Sequence, residues 1–314
     1  MKSGAKPLAK PARAERSARG STQKRTTKIT FALLVLCWAA LPFTAGSVIV
    51  DGLAGRSDSV RALAEAGAWL MWAAALLSAL VAHPLALTTL RIVTPTNAAI
   101  TGWWSVTGSS ADTTRTLGVA LSAVSVLVAF LAATGDRHIN GPAYPNEKRF
   151  LLRPPGLLLL GPVPLAWLMA VIGVWAGPLL LAAHAWIAGI VALFVGVPAA
   201  ALGARSLHAL AERFAVFVPA GFVLHDLMTL RDPILFPKNS VEALRLAEAQ
   251  SDSLDLTQRS LGYAIEVVLR EKAELTLLKS GGRQQETGGS ARFLIAPTSP
   301  GRLLAEAGSR RYSR

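Results

Sequence analysis

For most of its first two hundred residues the chain cycles between long apolar runs and short polar breaks; then the rhythm switches to residue-by-residue alternation. The apolar runs are ITFALLVLCWAALPFTAGSVIV (29–50), AGAWLMWAAALLSALVA (66–82), LGVALSAVSVLVAFLAAT (117–134), GLLLLGPVPLAWLMAVIGVWAG (156–177) and LLLAAHAWIAGIVALFVGVPAAALG (179–203). A hydrocarbon core about 30 Å thick is crossed by roughly 20 apolar residues in a helix, and backbone inside it must be hydrogen-bonded internally. Each run therefore reads as a membrane helix. The first has the basic flank of a cleaved signal, but it continues well past the small residues at Ala45-Gly46, which marks an uncleaved helix. Trp69 and Trp72 near one end of the second read as interfacial anchors.

A further segment, LALTTLRIVTPTNAAITGWWSV (85–106), contains Arg91, Pro95 and Asn97, and hydropathy alone would discard it. The placement of basic residues argues for keeping it. With six helices, three basic residues (Arg56, Arg61, Arg115) fall outside and thirteen inside ahead of residue 205, the bias that inner loops carry. With five, the basic loop GDRHINGPAYPNEKRFLLRPP (135–155) would lie outside. The expectation is a helical membrane domain of about six transmembrane helices over 29–204, with a tight turn at Trp175–Pro178. Both termini are then cytoplasmic, in a cell membrane.

Past Gly203 the balance of charge becomes that of a soluble domain, fifteen basic against twelve acidic side chains in 205–314. ARSLHALAER (204–213) reads as the last helix running on into the cytosol. In ERFAVFVPAGFVLHD (212–226), Phe214, Val216 and Val218 point one way while Ala215 and Phe217 point the other. Pro219-Ala220-Gly221 suits a hairpin turn, with Gly able to take positive φ, and Phe222-Val223-Leu224 returns. Strands are expected at Ile234–Pro237, Val241–Leu246, Tyr263–Leu269, Glu274–Leu278 and Arg292–Ala296, the REKA segment joining the third and fourth of these as a hairpin. Segments 251–260 and 280–291 read as polar loops. SPGRLLAEAG (299–308) reads as a terminal helix, with Ser299 as N-cap, Pro300 in the first turn and Gly308 at the end. A small all-β unit of seven strands and a C-terminal helix over 205–308 follows, with 309–314 as a disordered tail.

That order of a PAG-turned hairpin, further meander strands and FLIAPTSPGRLLAEA resembles bacterial PH-like domains. Through YPNEKRFLLRPP, LLLLGPVPLAW, ERFAVFVPAGFVLHD and DLTQRSLGYAIEV, the chain also resembles uncharacterised multi-pass membrane proteins of high-GC Gram-positive bacteria. The resemblance implies a PH-like barrel or sandwich closed by the terminal helix, attached to membrane helices and able to dock a protein partner. It implies no activity. Lipid-binding PH domains carry basic residues in the first hairpin loop; here that loop is Pro219-Ala220-Gly221, so phosphoinositide binding is not implied.

Composition sharpens the picture in two places. Hydrophobic residues make up 52% and charged residues 16% of the 314 positions, well below the roughly one quarter charged of soluble proteins. The net charge of +13 is concentrated in residues 1–28, where nine basic side chains face one acid, Glu15. This stretch has no aromatics and cannot bury a core, so it reads as a disordered cytoplasmic tail that sets topology and leans on anionic lipid headgroups. Nothing there interleaves aromatics as a nucleic-acid surface does, so no nucleic-acid partner is expected. The single cysteine, Cys37, lies inside the first apolar run and reads as a small buried hydrophobe.

Candidate chemistry is sparse. No phosphate-binding loop, nucleophile elbow, HExxH or paired CxxC occurs. Asp136, His138 and Glu147 share the basic loop, and His225-Asp226 ends a strand; the first three read as solvated loop residues, the pair as a turn. No catalytic residue, cofactor or metal site is assigned. Arg91 and Asn97 are candidate intramembrane polar residues, a functional hypothesis by position, with Pro95 able to mark a broken helix beside a path. The plainer alternative is a weakly apolar helix held by its neighbours. Lys148, Arg149 and Arg153 interleave with Phe150, Leu151 and Leu152, a pattern suited to a membrane surface or to docking on the β unit. The expected function is a non-enzymatic scaffold or regulator that docks a protein partner. The alternative is a small transporter or channel-like protein with Arg91 and Asn97 lining its path.

Overall fold

The computed structural model describes residues 10–107, 113–248, 250–278 and 285–313. Helix α1 (Lys10–Gly52) begins far ahead of its apolar run, so the basic segment from Lys10 to Lys28 is helical rather than unstructured; residues 1–9 lie outside the described residues. Pro11 occupies the first turn, and each residue added to an existing helix gains a hydrogen bond without a new nucleation cost. Helices α2 (Asp58–Leu80), α3 (Pro84–Thr107) and α4 (Thr113–Phe130) complete a four-helix group. Among the described residues five helices are long and apolar enough to cross a membrane: α1, α2, α4, α7 (Pro162–Ala182) and α8 (Trp186–Ala211). These five helices are compatible with a multi-pass membrane protein. Its helices present Phe43, Leu160, Ile187 and Phe194 outward almost fully exposed, a surface suited to lipid rather than water.

Helix α3 explains its own weak hydropathy. Its 24 residues are long enough to cross, at about 1.5 Å per residue, but Thr88, Thr94, Thr96 and Thr101 are buried against neighbouring helices rather than turned to lipid. The Thr88 and Thr96 hydroxyls donate back to the carbonyls of Pro84 and Ile92.

Between α1 and α2, Trp38 and Trp72 each donate an indole N–H to the other's carbonyl, at 2.8 and 2.9 Å. Trp72 is thus a helix-packing residue, whereas Trp69 is exposed. Cys37 is buried. Helices α7 and α8 form a close hairpin because Gly173 and Gly196 face each other; a Cβ at Gly173 would collide with the Gly196 carbonyl, the close approach that small residues allow. The turn lies at Ala183–Ala185, with His184 at φ 61°, not at Trp175–Pro178. Pro178 sits in the last part of α7, where its missing N–H interrupts only one turn.

The β-rich part, among the described residues, is two four-stranded sheets around one core, with no closed barrel. The first runs in the order β1 (Lys148–Leu151), β2 (Phe214–Val218), β3 (Gly221–His225), β4 (Ile234–Pro237), all antiparallel. The second runs β5 (Val241–Leu246), β7 (Ile265–Leu278), β8 (Gln285–Ile295), β6 (Leu254–Asp255), the last pair parallel. Phe150, Phe217, Phe222, Phe236 and Phe293 fill the space between them. The β2–β3 turn is Pro219-Ala220. Gly221 already belongs to β3, and it is needed because the Phe236 carbonyl lies where a Cβ would go.

Four expectations about this unit are corrected. It does not start at residue 205, since β1 precedes the α7–α8 hairpin and pairs with β2 after it. REKA is not a hairpin loop: β7 runs straight through it, with a register shift between Val268 and Ala273 that turns Arg270, Glu271 and Lys272 outward. Gln285–Ser290 likewise belongs to β8, and the hairpin tip falls outside the described residues. Finally, the chain past Gly308 is ordered as far as Ser313. Tyr312 is buried against Phe217, and the Leu244 N–H donates to the Ser313 carbonyl, covering the edge of β5. Helix α9 (Pro300–Ser309) closes the unit.

Candidate functional site

The joint between helices and sheets holds buried polar side chains that include Asp136, His138, Arg213 and Asp226, and a short helix, α5 (Ala132–Ile139), is its centre. Helix α2 ends at Leu80, leaving carbonyls without intrahelical partners. Arg137 donates to the Ala79 and Leu80 carbonyls at 2.7 and 3.0 Å, and His138 Nε2 lies 2.9 Å from the Ser78 carbonyl. A cation at a helix C-terminus is also favoured by the helix dipole. The Arg137 guanidinium lies over the Phe31 ring of α1 at 4.3 Å. One dipeptide thus fastens α5 to the ends of two membrane helices.

His138 is in a double bind. Its Nδ1 faces the Thr134 carbonyl at 2.8 Å while Nε2 faces Ser78. Both partners only accept, so a neutral imidazole can satisfy one of them and an imidazolium both. Burial is the stronger influence and holds the ring below its usual range.

Asp136, two residues earlier and so on the opposite side of the helix, faces the sheets. Its Oδ2 accepts from Ser299 Oγ at 3.1 Å and from Arg302 at 2.7 Å. Ser299 sits at the N-cap position of α9 as its sequence suggests, yet its hydroxyl serves Asp136 instead of the helix. Burial raises the Asp136 carboxyl above its usual range, against the pull of Arg302 and of hydrogen bonds from Ser299 and the Leu151 backbone. Asn140 completes the connection: its amide donates to the Arg149 carbonyl and accepts the Arg149 N–H, each at 2.9 Å, standing in for a neighbouring strand along the edge of β1.

A second polar knot lies where α8 enters β2. Arg213 and Asp226 form a bidentate ion pair, both bonds 2.7 Å, with residues 2% and 1% exposed. Arg213 also donates to the Arg153 carbonyl at 3.1 Å. His225 stacks on Phe214, so the His225-Asp226 pair serves two separate structural contacts.

The candidate residues from the sequence fall in three places. Arg91 reaches the α4–α5 corner: its guanidinium sits 5.3 Å from the Phe130 ring centroid, its Nε is 3.5 Å from the Ala129 carbonyl, and Asp136 is within electrostatic reach. Asn97 is deeper and donates to Ser122 Oγ at 2.9 Å. Lys148 and Arg149 are residues of strand β1, and Arg153 follows it, donating to the Leu261 and Tyr263 carbonyls. Asp136, His138 and Glu147 do not converge: the first two have the separate partners described above, and Glu147 pairs with Arg149 at 2.8 Å. Among the described residues no three His, Cys, Asp or Glu side chains are grouped to hold a metal ion.

Two cavities lie among the membrane helices. One of about 980 Å³ is bounded by Trp104, Trp167, Trp175 and Met71, with Arg56 and His184 at one end. The other, of about 380 Å³, is walled by Trp38, Trp72, Glu65 and Asn97. Asn97 lines the smaller of these two cavities and Arg91 lines neither.

Arg213, Asn140 and Arg302 escaped the sequence reading. Only Arg213 had a usable signal, a charge at the head of a strand whose alternation places it inward beside Ala215 and Phe217. The chain matches no family model, no curated protein and no solved structure.

Proposed function

We propose that this chain is a six-span membrane protein that holds a PH-like β unit at the cytoplasmic face as a docking platform for a protein partner, without catalysing a reaction. The supporting observation is the pairing of β1 with β2 across the α7–α8 hairpin. It builds the platform into the membrane domain at two points of the chain, so its faces keep a fixed angle to the bilayer. Arg137, His138 and Asn140 reinforce that connection from the helix side. The same geometry favours α3 as the sixth span: α2 ends and α4 ends at α5, and only α3 can carry the chain back between them. The basic segment before Phe31 then lies on the side of the β unit and meets anionic headgroups there.

The experiment is site-specific photocrosslinking in cells at Leu235, exposed on edge strand β4, with a fluorescent or phosphatase reporter fused after Arg314 to fix the side. A single discrete adduct with a cytoplasmic reporter supports the reading. A periplasmic or external reporter, or no adduct at Leu235 or at Leu246 on the second sheet, rejects it.

A further inference from the structure

The geometry points to a second membrane contact: the loop 258–263 of the β unit inserts Leu261 and Tyr263 into the bilayer surface where α7 enters, with Arg259 at anionic phosphates. Helix α6 (Gly156–Leu160) is a run of leucines leading directly into the span of α7, and Leu157 and Leu160 stand exposed beside it. The loop is fastened to the chain just ahead of that helix. Arg153 donates to the Leu261 and Tyr263 carbonyls at 3.0 and 3.3 Å, and the single Ser260 hydroxyl proton is shared among the carbonyls of Thr257, Pro154 and Arg153, at 2.7, 3.0 and 3.2 Å. A Cβ at Gly156 would lie 3.9 Å from Leu261 Cγ. The loop tip and the entry of α7 are thus at one level, and the bilayer that receives α6 meets the loop as well.

The side chains at that level suit a bilayer surface and little else. Leu261 is 73% and Tyr263 76% exposed, and Tyr with a neighbouring apolar residue is typical of the headgroup boundary. Arg259 is exposed beside them, able to pair with lipid phosphate. Gln258 and Arg259 both take left-handed backbone, at φ 52° and 58°, and Gly262 sits at φ 100°. Residues with side chains rarely adopt that region, and here it makes the bend that carries the exposed residues 259, 261 and 263. Gln258 anchors the other side of the bend through the Met228 carbonyl at 3.0 Å. Asp255, the nearest acid in sequence before the bend, is engaged by Thr257 at 2.6 and 2.7 Å.

The test uses the full chain with Cys37→Ser, carrying one spin label at Leu261→Cys, in nanodiscs containing phosphatidylcholine and phosphatidylglycerol. Tyr263→Cys is an independent second site. Labels at Leu160→Cys and Ala220→Cys serve as immersed and aqueous references, Ala220 being at the turn farthest along β2 from α8. Accessibility to oxygen against a water-soluble nickel chelate reads depth. The expected result is a several-fold loss of nickel accessibility at 261 and 263 relative to 220, with oxygen accessibility close to that at 160. Nickel accessibility equal to that at 220 overturns the inference, and so does shielding from both reagents, which means a protein surface covers the loop. Arg259→Gln should make the label shallower in anionic discs but not in pure phosphatidylcholine; equal depth in both overturns the phosphate contact.

Discussion

Residues 205–314 look self-sufficient in sequence, yet expressed alone they should fail to fold. Cutting there removes β1, and with it Phe150 and Leu152, 2% and 4% exposed in the core between the sheets. Truncating a buried Phe or Leu costs about 3–5 and 2–5 kcal/mol respectively, and a typical domain has only about 5–15 kcal/mol of net stability. The cut also deletes the bonds from Leu152 N–H to the Arg213 carbonyl, Arg153 N–H to Ala296 and Thr298 N–H to Leu151, at 2.9, 2.7 and 2.8 Å. It strips the carbonyl that receives Arg213 as well. The repair is simple, because Leu151 lies opposite Phe214: residues 146–155 joined ahead of Glu212 by a short Gly/Ser linker restore the strand in place. Amide-proton NMR dispersion and urea unfolding of both forms decide it. The linked form should give a dispersed spectrum and a cooperative transition, the bare fragment neither. Equal unfolding midpoints would refute the claim that β1 is part of the fold.

Further outcomes follow from the polar knots and the helix packing. Arg213→Met strands the Asp226 carboxylate in the core and should cost about 3–5 kcal/mol, whereas Arg213→Met with Asp226→Leu should recover most of that; urea unfolding of the detergent-solubilised chain measures both. Burial depresses the His138 pKa below the ordinary 6.5, so its stabilising share is complete above about pH 6.5 and is lost as the pH falls toward the depressed value. His138→Gln should flatten the melting temperature between pH 7.5 and 5. Gly173→Leu pushes against the Gly196 carbonyl and should destabilise the α7–α8 hairpin by about 1–3 kcal/mol, seen as lost heat resistance of the folded band in mild detergent gels.

How far the sequence reveals this molecule depends on the range of each interaction. The hairpin at Phe214–His225 and strands Ile234–Pro237 and Val241–Leu246 follow from local alternation, and the structure places them at the expected residues. The five apolar helices follow from length alone. Strand β1 could not be read the same way: in KRFL the basic and apolar residues are as consistent with a membrane surface, and its partner lies more than sixty residues downstream. The turn after α7 was misplaced because Pro178 looked like a helix end, whereas the left-handed His184 that makes the turn has no side-chain signature. The joint was least legible of all. Asp136, His138 and Asn140 are ordinary loop residues until α2, β1 and α9 arrive from distant positions to meet them.

The strand that precedes the last two membrane helices also fixes an order of events during synthesis. When Phe150 leaves the ribosome its partner strand has not been made, and the translocation machinery must still handle α7 and α8 before Phe214 can reach it. If only one of the two helices inserts, the two strands are left on opposite faces, with five phenylalanines unable to close their core. The β unit therefore ripens only on a correctly threaded chain, and any protease or chaperone that surveys its exposed sheets is indirectly inspecting the threading of the helices joined to it.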